Sequence, residues 1–213
     1  MLRGNPKARI AVFVSGGGTN LQALIDAERA GKIKNGKIEL VLSSNPEAYA
    51  LERAKNADIP ALTVSRKAHP DDFETKIIEA LESYQIDLIV LAGFLSILSE
   101  DFTRRYDRRI LNVHPSLIPS FCGKGFYGLR VHEAALERGV RLTGATVHFV
   151  NEIPDGGEII MQKAVAVCDG DDAKTLQRRV MEEAEWKILP ASVKLFCDDR
   201  IEVVDNKVFI KGV

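Results

Sequence analysis

The stretch Ile10-Ala11-Val12-Phe13-Val14 runs directly into Ser15-Gly16-Gly17-Gly18-Thr19-Asn20-Leu21-Gln22, so an apolar strand is followed at once by a glycine loop and a helix candidate. Glycines at such a junction let backbone N–H groups approach a phosphate, and the helix N-terminus adds roughly half a positive charge. The alternative is a tight strand-to-helix turn with Thr19 as its N-cap. The loop is neither a GxGxxG fingerprint nor a Walker A loop, because Gly-Lys-Ser/Thr is absent.

The same alternation continues outward from this junction through the first half of the chain. Apolar runs of strand length alternate with helix-like segments, which predicts parallel strands joined by crossover helices in a doubly wound α/β fold. The predicted strands are 10–14, 38–43, 61–64, 88–91 and 110–113. The predicted helices are 20–30, 46–56, 70–84 and 99–106, the third beginning at Pro70 or Asp71.

The second half has a different pattern, in which paired strands replace the crossovers and predict antiparallel additions to the sheet. In chain order we predict a loop at 115–128, a helix at 129–138, strands at 146–150 and 158–167 around a turn at 151–157, and a hairpin at 201–204 and 207–210. Asp171 or Asp172 is placed to cap a last long helix that ends near residue 187, with Pro190 kinking or restarting it. We expect residues 1–213 to form a single domain.

Composition favours small-molecule ligands over polymers or membranes. The chain has 213 residues, 46% of them hydrophobic, and a formal net charge of -1, so no strong field would attract nucleic acid or an anionic membrane. Its three cysteines form no CxxC pair and predict a reduced, cytoplasmic setting. The early apolar run at 10–14 is far shorter than the roughly 20 residues of a membrane span, and no signal peptide is recognisable.

A second stretch, Ile110-Leu111-Asn112-Val113-His114-Pro115-Ser116-Leu117-Ile118-Pro119, indicates where the chemistry lies. A strand stops at the prolines, and Asn112 and His114, two residues apart, share one face at its mouth. With Asp155 of Asp155-Gly156-Gly157 they would form the acid, base and oxyanion-binding set that transfer at a carbonyl needs. The alternatives stay open, because a lone histidine is more often structural, Pro-Asp-Gly-Gly is also an ordinary turn, and 41 positions separate Asp155 from His114.

The remaining histidines carry weaker signals. His148 alternates with apolar residues, so it is either a core histidine or a residue that orients Asp155, and we favour the second interpretation. His132 follows the glycine-rich loop and could contact a ligand, whereas His69 is expected to be solvated. None of the three has metal-ligand spacing, and no metal site is predicted.

Five motifs together resemble the phosphoribosylglycinamide formyltransferase family, the folate-dependent transformylases of purine synthesis, over nearly the whole chain. They are Ser15 to Gln22, Leu91-Ala92-Gly93-Phe94, Asn112 to Leu117, Thr146-Val147-His148-Phe149-Val150 and Asp155-Gly156-Gly157, in that order. The resemblance implies a formyltransferase-type fold with a Rossmann-like N-terminal half. It also implies formyl transfer from 10-formyltetrahydrofolate to the amine of 5'-phosphoribosylglycinamide, without a metal, by a monomer or homodimer.

The resemblance further implies the roles of particular residues. Asn112 and a protonated His114 would stabilise the oxyanion, while Asp155 would favour the imidazolium and accept the proton of the amine. The ribonucleotide would contact Gly17, Gly18, Thr19, Asn20 and Glu185, and the folate would contact Leu95, Ile97, Leu98, Asn112, Val150 and Asp155. The N-terminal half, about 1–108, would therefore bind the ribonucleotide phosphate, and the C-terminal half, about 109–213, would carry catalysis and the folate.

Some positions depart from the family pattern. Ser96 stands in place of an arginine, Trp186 in place of a histidine, and Arg130 in place of one histidine of an H-x-H pair, while the long loop 121–128 is a candidate lid.

Several other functions stay open beside this one. Formyltetrahydrofolate hydrolase and methionyl-tRNA formyltransferase share the Asn, His and Asp set, but we expect neither, since 213 residues leave no room for their extra domains. A nicotinamide-dependent oxidoreductase is disfavoured by the missing GxGxxG. A non-catalytic folate or nucleotide binding protein is a further alternative.

Overall fold

The computed structural model describes residues 7–212 and is built around a seven-stranded sheet. Its strands are β1 (Ala8–Val14), β2 (Gly36–Ser43), β3 (Ala61–Thr63), β4 (Leu88–Leu91), β5 (Ile110–His114), β6 (Leu142–Phe149) and β7 (Ile159–Ala166). They lie in the order β3-β2-β1-β4-β5-β6-β7. Strands β1 to β5 are mutually parallel, β6 pairs antiparallel with β5, and β7 pairs antiparallel with β6. The predicted doubly wound sheet with antiparallel additions is confirmed.

Helices connect these strands and cover both faces of the sheet. They are α1 (Thr19–Arg29), α2 (Ala50–Asn56), α3 (Phe73–Ser83), α4 (Glu100–Arg105), α5 (Leu129–Arg138), α6 (Ala173–Val180) and α7 (Trp186–Cys197). Two begin later than predicted: α2 at residue 50 rather than 46, and α3 at 73 rather than 70. Before α2, the Asn45 side chain accepts a hydrogen bond from Glu47 N and closes a turn instead. No helix within residues 7–212 is long and apolar enough to cross a membrane.

Alternate residues of β1 pack into two hydrophobic clusters on opposite faces of the sheet. Val12 lies in the cluster formed with α1, α6 and α7, where Leu189 is fully buried. Phe13 lies in the cluster formed with α3 and α4, which contains Ile77 and Phe102. Because successive strand residues point to opposite faces, a strand buried on both sides must be apolar throughout, as residues 10–14 are.

The order of the strands reverses at β1, whose neighbours are β2 and β4. Ligands of open α/β sheets bind at such a reversal, in the crevice beyond the carboxyl ends of the strands. The glycine loop follows β1, and His114 ends β5, so both candidate sites open on this edge of the sheet.

The last long helical region differs from its prediction. Asp172 caps α6 by accepting a hydrogen bond from Thr175 N, as expected, but the helical path continues through a π turn at Met181–Glu185 into α7, far beyond residue 187. Pro190 lies inside α7 and removes one backbone donor, a cost of about 3 kcal/mol. Apolar residues of α7 on both sides of Pro190 are buried in the core, and this burial outweighs that cost.

The predicted antiparallel pairs are also present, with one change of length. The strand β6 begins at Leu142 rather than 146, because its pairing with β7 extends back to Ala166. The C-terminal hairpin of β8 (Ile201–Val204) and β9 (Lys207–Ile210) is confirmed. Its turn residues Asp205 and Asn206 both have positive φ, of 49° and 57°, as a two-residue type I′ connection requires.

Candidate active site

The end of β5 presents Asn112 and His114 on the same face, beside the antiparallel strand β6. Asn112 pairs directly with His148 of β6 in the register of the sheet. His114 and His148 are only 4% and 1% exposed, so both rings are held by the surrounding packing. Strand alternation alone therefore fixes the relative direction of the amide and the first imidazole.

Asp155 reaches this face from the turn that follows β6. Its Oδ2 lies 3.4 Å from His114 Nδ1, and its Oδ1 lies 3.5 Å from His148 Nε2. Gly123 N donates a hydrogen bond of 2.8 Å to Oδ2. The turn needs glycine at 157, since a Cβ there would lie 1.9 Å from Phe149 O. The structure thus brings Asn112, His114 and Asp155 together, although 41 positions separate the last two.

The hydrogen bonds of His114 determine which ring nitrogen carries the proton. His114 Nε2 lies 2.8 Å from the carbonyl oxygen of Phe121, which can only accept, so Nε2 is the protonated nitrogen. In the neutral ring Nδ1 then has a lone pair, and this lone pair faces the Asp155 carboxylate. The ring is therefore arranged to take a proton at Nδ1, where Asp155 would stabilise the resulting charge.

Burial sets the charge states of this pair. Burial lowers the pKa of His114 below its ordinary value, and this effect outweighs the opposing influence of Asp155 and of the Phe121 carbonyl. For Asp155, burial opposes ionisation, but His148, His114 and the Gly123 amide together hold its pKa below the usual range. Asp155 thus favours the imidazolium, as expected, but burial outweighs it, so in the free protein near pH 7 a neutral imidazole faces a carboxylate.

His148 also fixes the side chain of Asn112. His148 Nδ1 donates to the Phe149 carbonyl at 2.6 Å, which leaves Nε2 as an acceptor in the neutral ring. Asn112 Nδ2 lies 3.2 Å from that nitrogen and donates one of its protons to it. The second proton of the amide remains available to a ligand at the mouth of β5.

The loop after β5 holds both catalytic candidates through its backbone. The carbonyl of Phe121 and the amide of Gly123 bind His114 and Asp155 respectively. The start of the loop is fixed by Thr146, whose Oγ1 donates to Ser116 O at 2.7 Å and accepts from Ile118 N. Sequence reasoning missed these groups, because backbone contacts leave no residue-type signal.

The glycine loop leads directly into the N-terminus of α1. Gly18 precedes α1 with a φ of 72°, in the left-handed region, and no side chain caps the helix. Thr19 is the first helical residue rather than the N-cap, so the alternative interpretation of a Thr19-capped turn is wrong. The first N–H groups of α1 are free of side-chain partners at this end.

Glu185, from the π turn, meets the start of α1. Its Oε2 accepts a hydrogen bond of 2.6 Å from Asn20 Nδ2, and it is only 6% exposed. Burial raises the pKa of Glu185 to about 7, an effect that the hydrogen bond from Asn20 opposes. Asn20 Oδ1 is buried, and no partner for it lies among the described residues. The ribonucleotide residues predicted around Asn20 and Glu185 are thus adjacent in space.

Two cavities lie beside some of the predicted ligand-binding residues. One, of about 620 Å³, is lined in part by Arg66, Leu95, Ile97 and Leu98. Leu95 and Ile97 are 64% and 78% exposed, an unusual state for large apolar side chains. The other, of about 1010 Å³, runs between α1 and α7 past Thr19 and lies apart from the Asn112, His114 and Asp155 cluster.

The sequence matches a protein-family model over most of its length. Residues 8–193 match the family model described as formyl transferase. The chain belongs to this formyl transferase family. Within residues 7–212 of this family member, no group of three His, Cys, Asp or Glu side chains is placed to hold a metal ion.

Relatives within the family cover the chain almost completely. Phosphoribosylglycinamide formyltransferase of Haemophilus influenzae is 41% identical over 206 residues, which cover 96% of this chain and 94% of that protein. The human trifunctional purine biosynthetic protein adenosine-3 is 43% identical over 202 residues, but the chain spans only 19% of its length. The crystal structure of glycinamide ribonucleotide transformylase 1 from Symbiobacterium toebii superposes with a TM-score of 0.90 at 40% identity, covering 97% of this chain and 95% of that one.

Proposed function

We propose that this chain is a phosphoribosylglycinamide formyltransferase, which transfers a formyl group from 10-formyltetrahydrofolate to the amine of 5'-phosphoribosylglycinamide in de novo purine biosynthesis. The observation that carries the proposal is the His114 ring, whose unprotonated Nδ1 faces Asp155 beside a free N–H of Asn112. A base, its counter-charge and an oxyanion donor at one strand end fit amine attack on a carbonyl carbon. The names of the relatives support the formyl group as the group transferred and glycinamide ribonucleotide as its acceptor.

Proton transfer follows from the tautomer of His114. The donor supplies the formyl carbon that the acceptor amine attacks, and the amine becomes more acidic as it forms the new C–N bond. Asp155 takes that proton, directly or through a water molecule, and passes it to His114 Nδ1, so that the imidazolium is then paired with Asp155. The same nitrogen returns the proton to the folate nitrogen as the old C–N bond breaks, so His114 ends neutral and no covalent link to the protein forms.

Oxyanion stabilisation is proposed for Asn112, together with His114 once its ring is protonated. One amide proton is committed to His148, which fixes the direction of the other toward the mouth of β5. Loss of one such oriented donor typically costs about 3 to 4 kcal/mol of barrier. His148 is therefore proposed to orient Asn112 when its ring is neutral. The same Nε2 lies 3.5 Å from Asp155 Oδ1 and can donate to it only when the ring is charged, so the role toward Asp155 stays a prediction.

The acceptor end is proposed to lie along the start of α1. Gly17, Gly18, Thr19 and Asn20 surround the helix N-terminus, where backbone amides favour a phosphate. Glu185, with Asn20 bound to one carboxylate oxygen, is available through the other to the glycinamide or ribose groups. The buried Asn20 Oδ1 adds an acceptor for a ligand N–H or O–H.

The donor is proposed to lie against Leu95, Ile97, Leu98 and Val150, next to Asn112 and Asp155. The exposed side chains of Leu95 and Ile97 on a cavity of about 620 Å³ fit a flat aromatic ligand. Leu98 and Val150 pack against the same hydrophobic cluster, which supports the proposal that they line one region.

We further propose that residues 1–213 act as one formyltransferase domain, with ribonucleotide phosphate binding in about 1–108 and catalysis and folate binding in about 109–213. The pairing of β4 with β5 supports this, because it joins the two halves into one continuous sheet.

The test is an absorbance assay that follows the folate product of the purified protein with and without glycinamide ribonucleotide. We expect product only when the ribonucleotide is present, and expect formylated ribonucleotide in equal amount. Product formation without the acceptor would instead identify a hydrolase. Binding of either ligand with no turnover would identify a binding protein and overturn the proposal.

A further inference from the structure

The helix α2 lies directly behind the glycine loop, and one of its side chains is fixed against the loop backbone. We infer that Arg53 is a positioning residue for the ribonucleotide phosphate: it binds the carbonyl of Gly17 and so turns the N–H groups of the loop toward the ligand. The inference rests on the proposed function for the identity of the ligand, and it concerns a residue that the sequence did not single out.

Two consecutive carbonyl groups of the loop are bound by α2. Ala50 N donates to Gly16 O at 3.0 Å, and Arg53 Nε donates to Gly17 O at 2.8 Å. Arg53 Nη1 also donates to Gln22 Oε1 at 3.1 Å, on the first turns of α1. One guanidinium thus ties the loop and the helix that follows it to the same neighbour.

The planarity of the peptide bond converts these contacts into a direction for the donors. In a trans peptide the C=O of one residue and the N–H of the next point to opposite sides. Because the carbonyls of Gly16 and Gly17 point toward α2, the N–H groups of Gly17 and Gly18 point away from it. The side that faces away from α2 is therefore the side on which a phosphate would collect these donors.

The contact between the loop and α2 leaves little room for the loop to rotate. A Cβ on Gly18 would lie 2.7 Å from Ala50 Cβ and 3.3 Å from Arg53 Cδ. The guanidinium is further held over the ring of Tyr49, with 5.1 Å between Cζ and the ring centroid. A planar, multiply bonded arginine keeps such an orientation better than a lysine, which presents a flexible point charge.

The variants Arg53→Ala and Arg53→Lys test this role, and Arg109 provides a matched control. Arg109 Nε donates to Asp87 O at 2.8 Å, its Nη2 donates to Ile86 O at 2.5 Å, and its guanidinium lies over Tyr106 at 5.5 Å. It thus has the same kind of contacts, but it precedes β5, at the end of the strand opposite His114. Arg109→Ala and Arg109→Lys therefore measure the structural cost of losing such an arginine.

We expect Arg53→Ala to raise the KM for glycinamide ribonucleotide at least tenfold, with kcat and the KM for the folate within about threefold of the parent. Arg53→Lys should recover the melting temperature but not the KM for glycinamide ribonucleotide, because lysine keeps the charge but lacks the several N–H donors of the planar guanidinium. The Arg109 variants should lower the melting temperature to a similar extent and leave both KM values unchanged. Equilibrium binding of ribose 5-phosphate should weaken in parallel with the KM of the Arg53 variants.

Other results would overturn the inference. An unchanged ribonucleotide KM in Arg53→Lys would show that charge alone suffices, and a matching KM change in the Arg109 variants would show general destabilisation. If the parent protein forms no formylated ribonucleotide, the proposed reaction fails. Loss of ribose 5-phosphate binding in Arg53→Ala but not in Arg109→Ala would then still support the positioning role.

Discussion

A single hydrogen bond decides the chemistry of His114. The Phe121 carbonyl at 2.8 Å occupies Nε2, so Nδ1 is the nitrogen that can gain or lose a proton. Asp155 lies 3.4 Å from this nitrogen, close enough to stabilise a charge that burial disfavours in the free protein. The pair is therefore suited to hold a proton during the reaction rather than before it.

Asp155→Asn tests this arrangement with little change of shape. We expect kcat to fall by roughly 10²- to 10⁴-fold, because the imidazolium loses its counter-charge. Dissociation constants for both ligands should stay within a few-fold, since the amide keeps the volume of the carboxylate. Asp169→Asn, at a side chain that is 88% exposed, serves as the control. Near-normal turnover in Asp155→Asn would exclude the proposed role.

Glu185→Gln tests the buried carboxyl by its effect on stability. The folded-state pKa of about 7 lies above the ordinary 4.5. The contribution of Glu185 to the free energy of unfolding is therefore fully present below pH 4.5 and is lost as the pH rises through 7. The glutamine variant cannot ionise, and it should exceed the parent in stability at pH 8 by up to about 3 kcal/mol while matching it near pH 4.5. Urea unfolding at both pH values measures this. An equal difference at both would contradict the pKa shift.

At the scale of elements, turns and loops contribute as much to the site as strands do. Strand β5 supplies Asn112 and His114, but Asp155 depends on a turn in which it has a φ of 56°, and its Oδ2 is held by the loop at Gly123. The sequence predicted this turn and the strand end separately. Their meeting required the β5 and β6 pairing, which is antiparallel and returns the chain to the same edge.

Gly157→Ala tests how strictly the turn is determined. The added Cβ would lie 1.9 Å from Phe149 O, so the turn must shift and carry Asp155 with it. We expect a loss of about 1 to 3 kcal/mol in unfolding free energy and a clear fall in kcat. Gly16→Ala is the control for stability, since its Cβ would meet nothing within 4 Å. Equal unfolding free energies for the two variants would show that the turn tolerates the shift.

Local patterns predicted the elements better than their ends. The strand β4 has the predicted bounds, and α5 has the predicted span. The end of the last helix was wrong because a proline signal is local, whereas the burial of Leu189 and Val193 that maintains α7 is a property of the whole core. The π turn before it, which presents Glu185 to Asn20, has no counterpart in the apolar periodicity.

At the scale of the whole molecule, two buried groups give opposite pH dependences of stability. His132 on α5 is fully buried, and neither ring nitrogen has a partner among the described residues. Burial, with a smaller contribution from the nearby His114, lowers its pKa to about 4. Because the unfolded chain binds its proton near pH 6.5, stability is lost as the pH falls from 6.5 to 4. Glu185 changes stability in the opposite direction over much of this range.

His132→Leu should expose this balance. Without the buried imidazole, the decline in unfolding free energy between pH 6.5 and 4 should become smaller, by about 3 kcal/mol at the acid end, and the lowered pKa of His114 accounts for part of the decline that remains. Removal of an unsatisfied buried polar group should also leave the variant at least as stable as the parent at pH 5. Urea titrations across this range measure both. The same acid slope in parent and variant would contradict the assignment to His132.

The sequence by itself determined the sheet, its parallel and antiparallel parts, the glycine loop and the strand end that bears Asn112 and His114, because these follow from periodicity and turn chemistry within short windows. Only the tertiary structure decided that Asp155 meets His114, which tautomer the ring adopts, and which way the loop amides face. Those properties depend on backbone carbonyls and amides of distant segments, and every residue type carries the same backbone groups. Burial, which made His114 neutral and Glu185 easier to protonate, is likewise set by the whole fold rather than by neighbours in the chain.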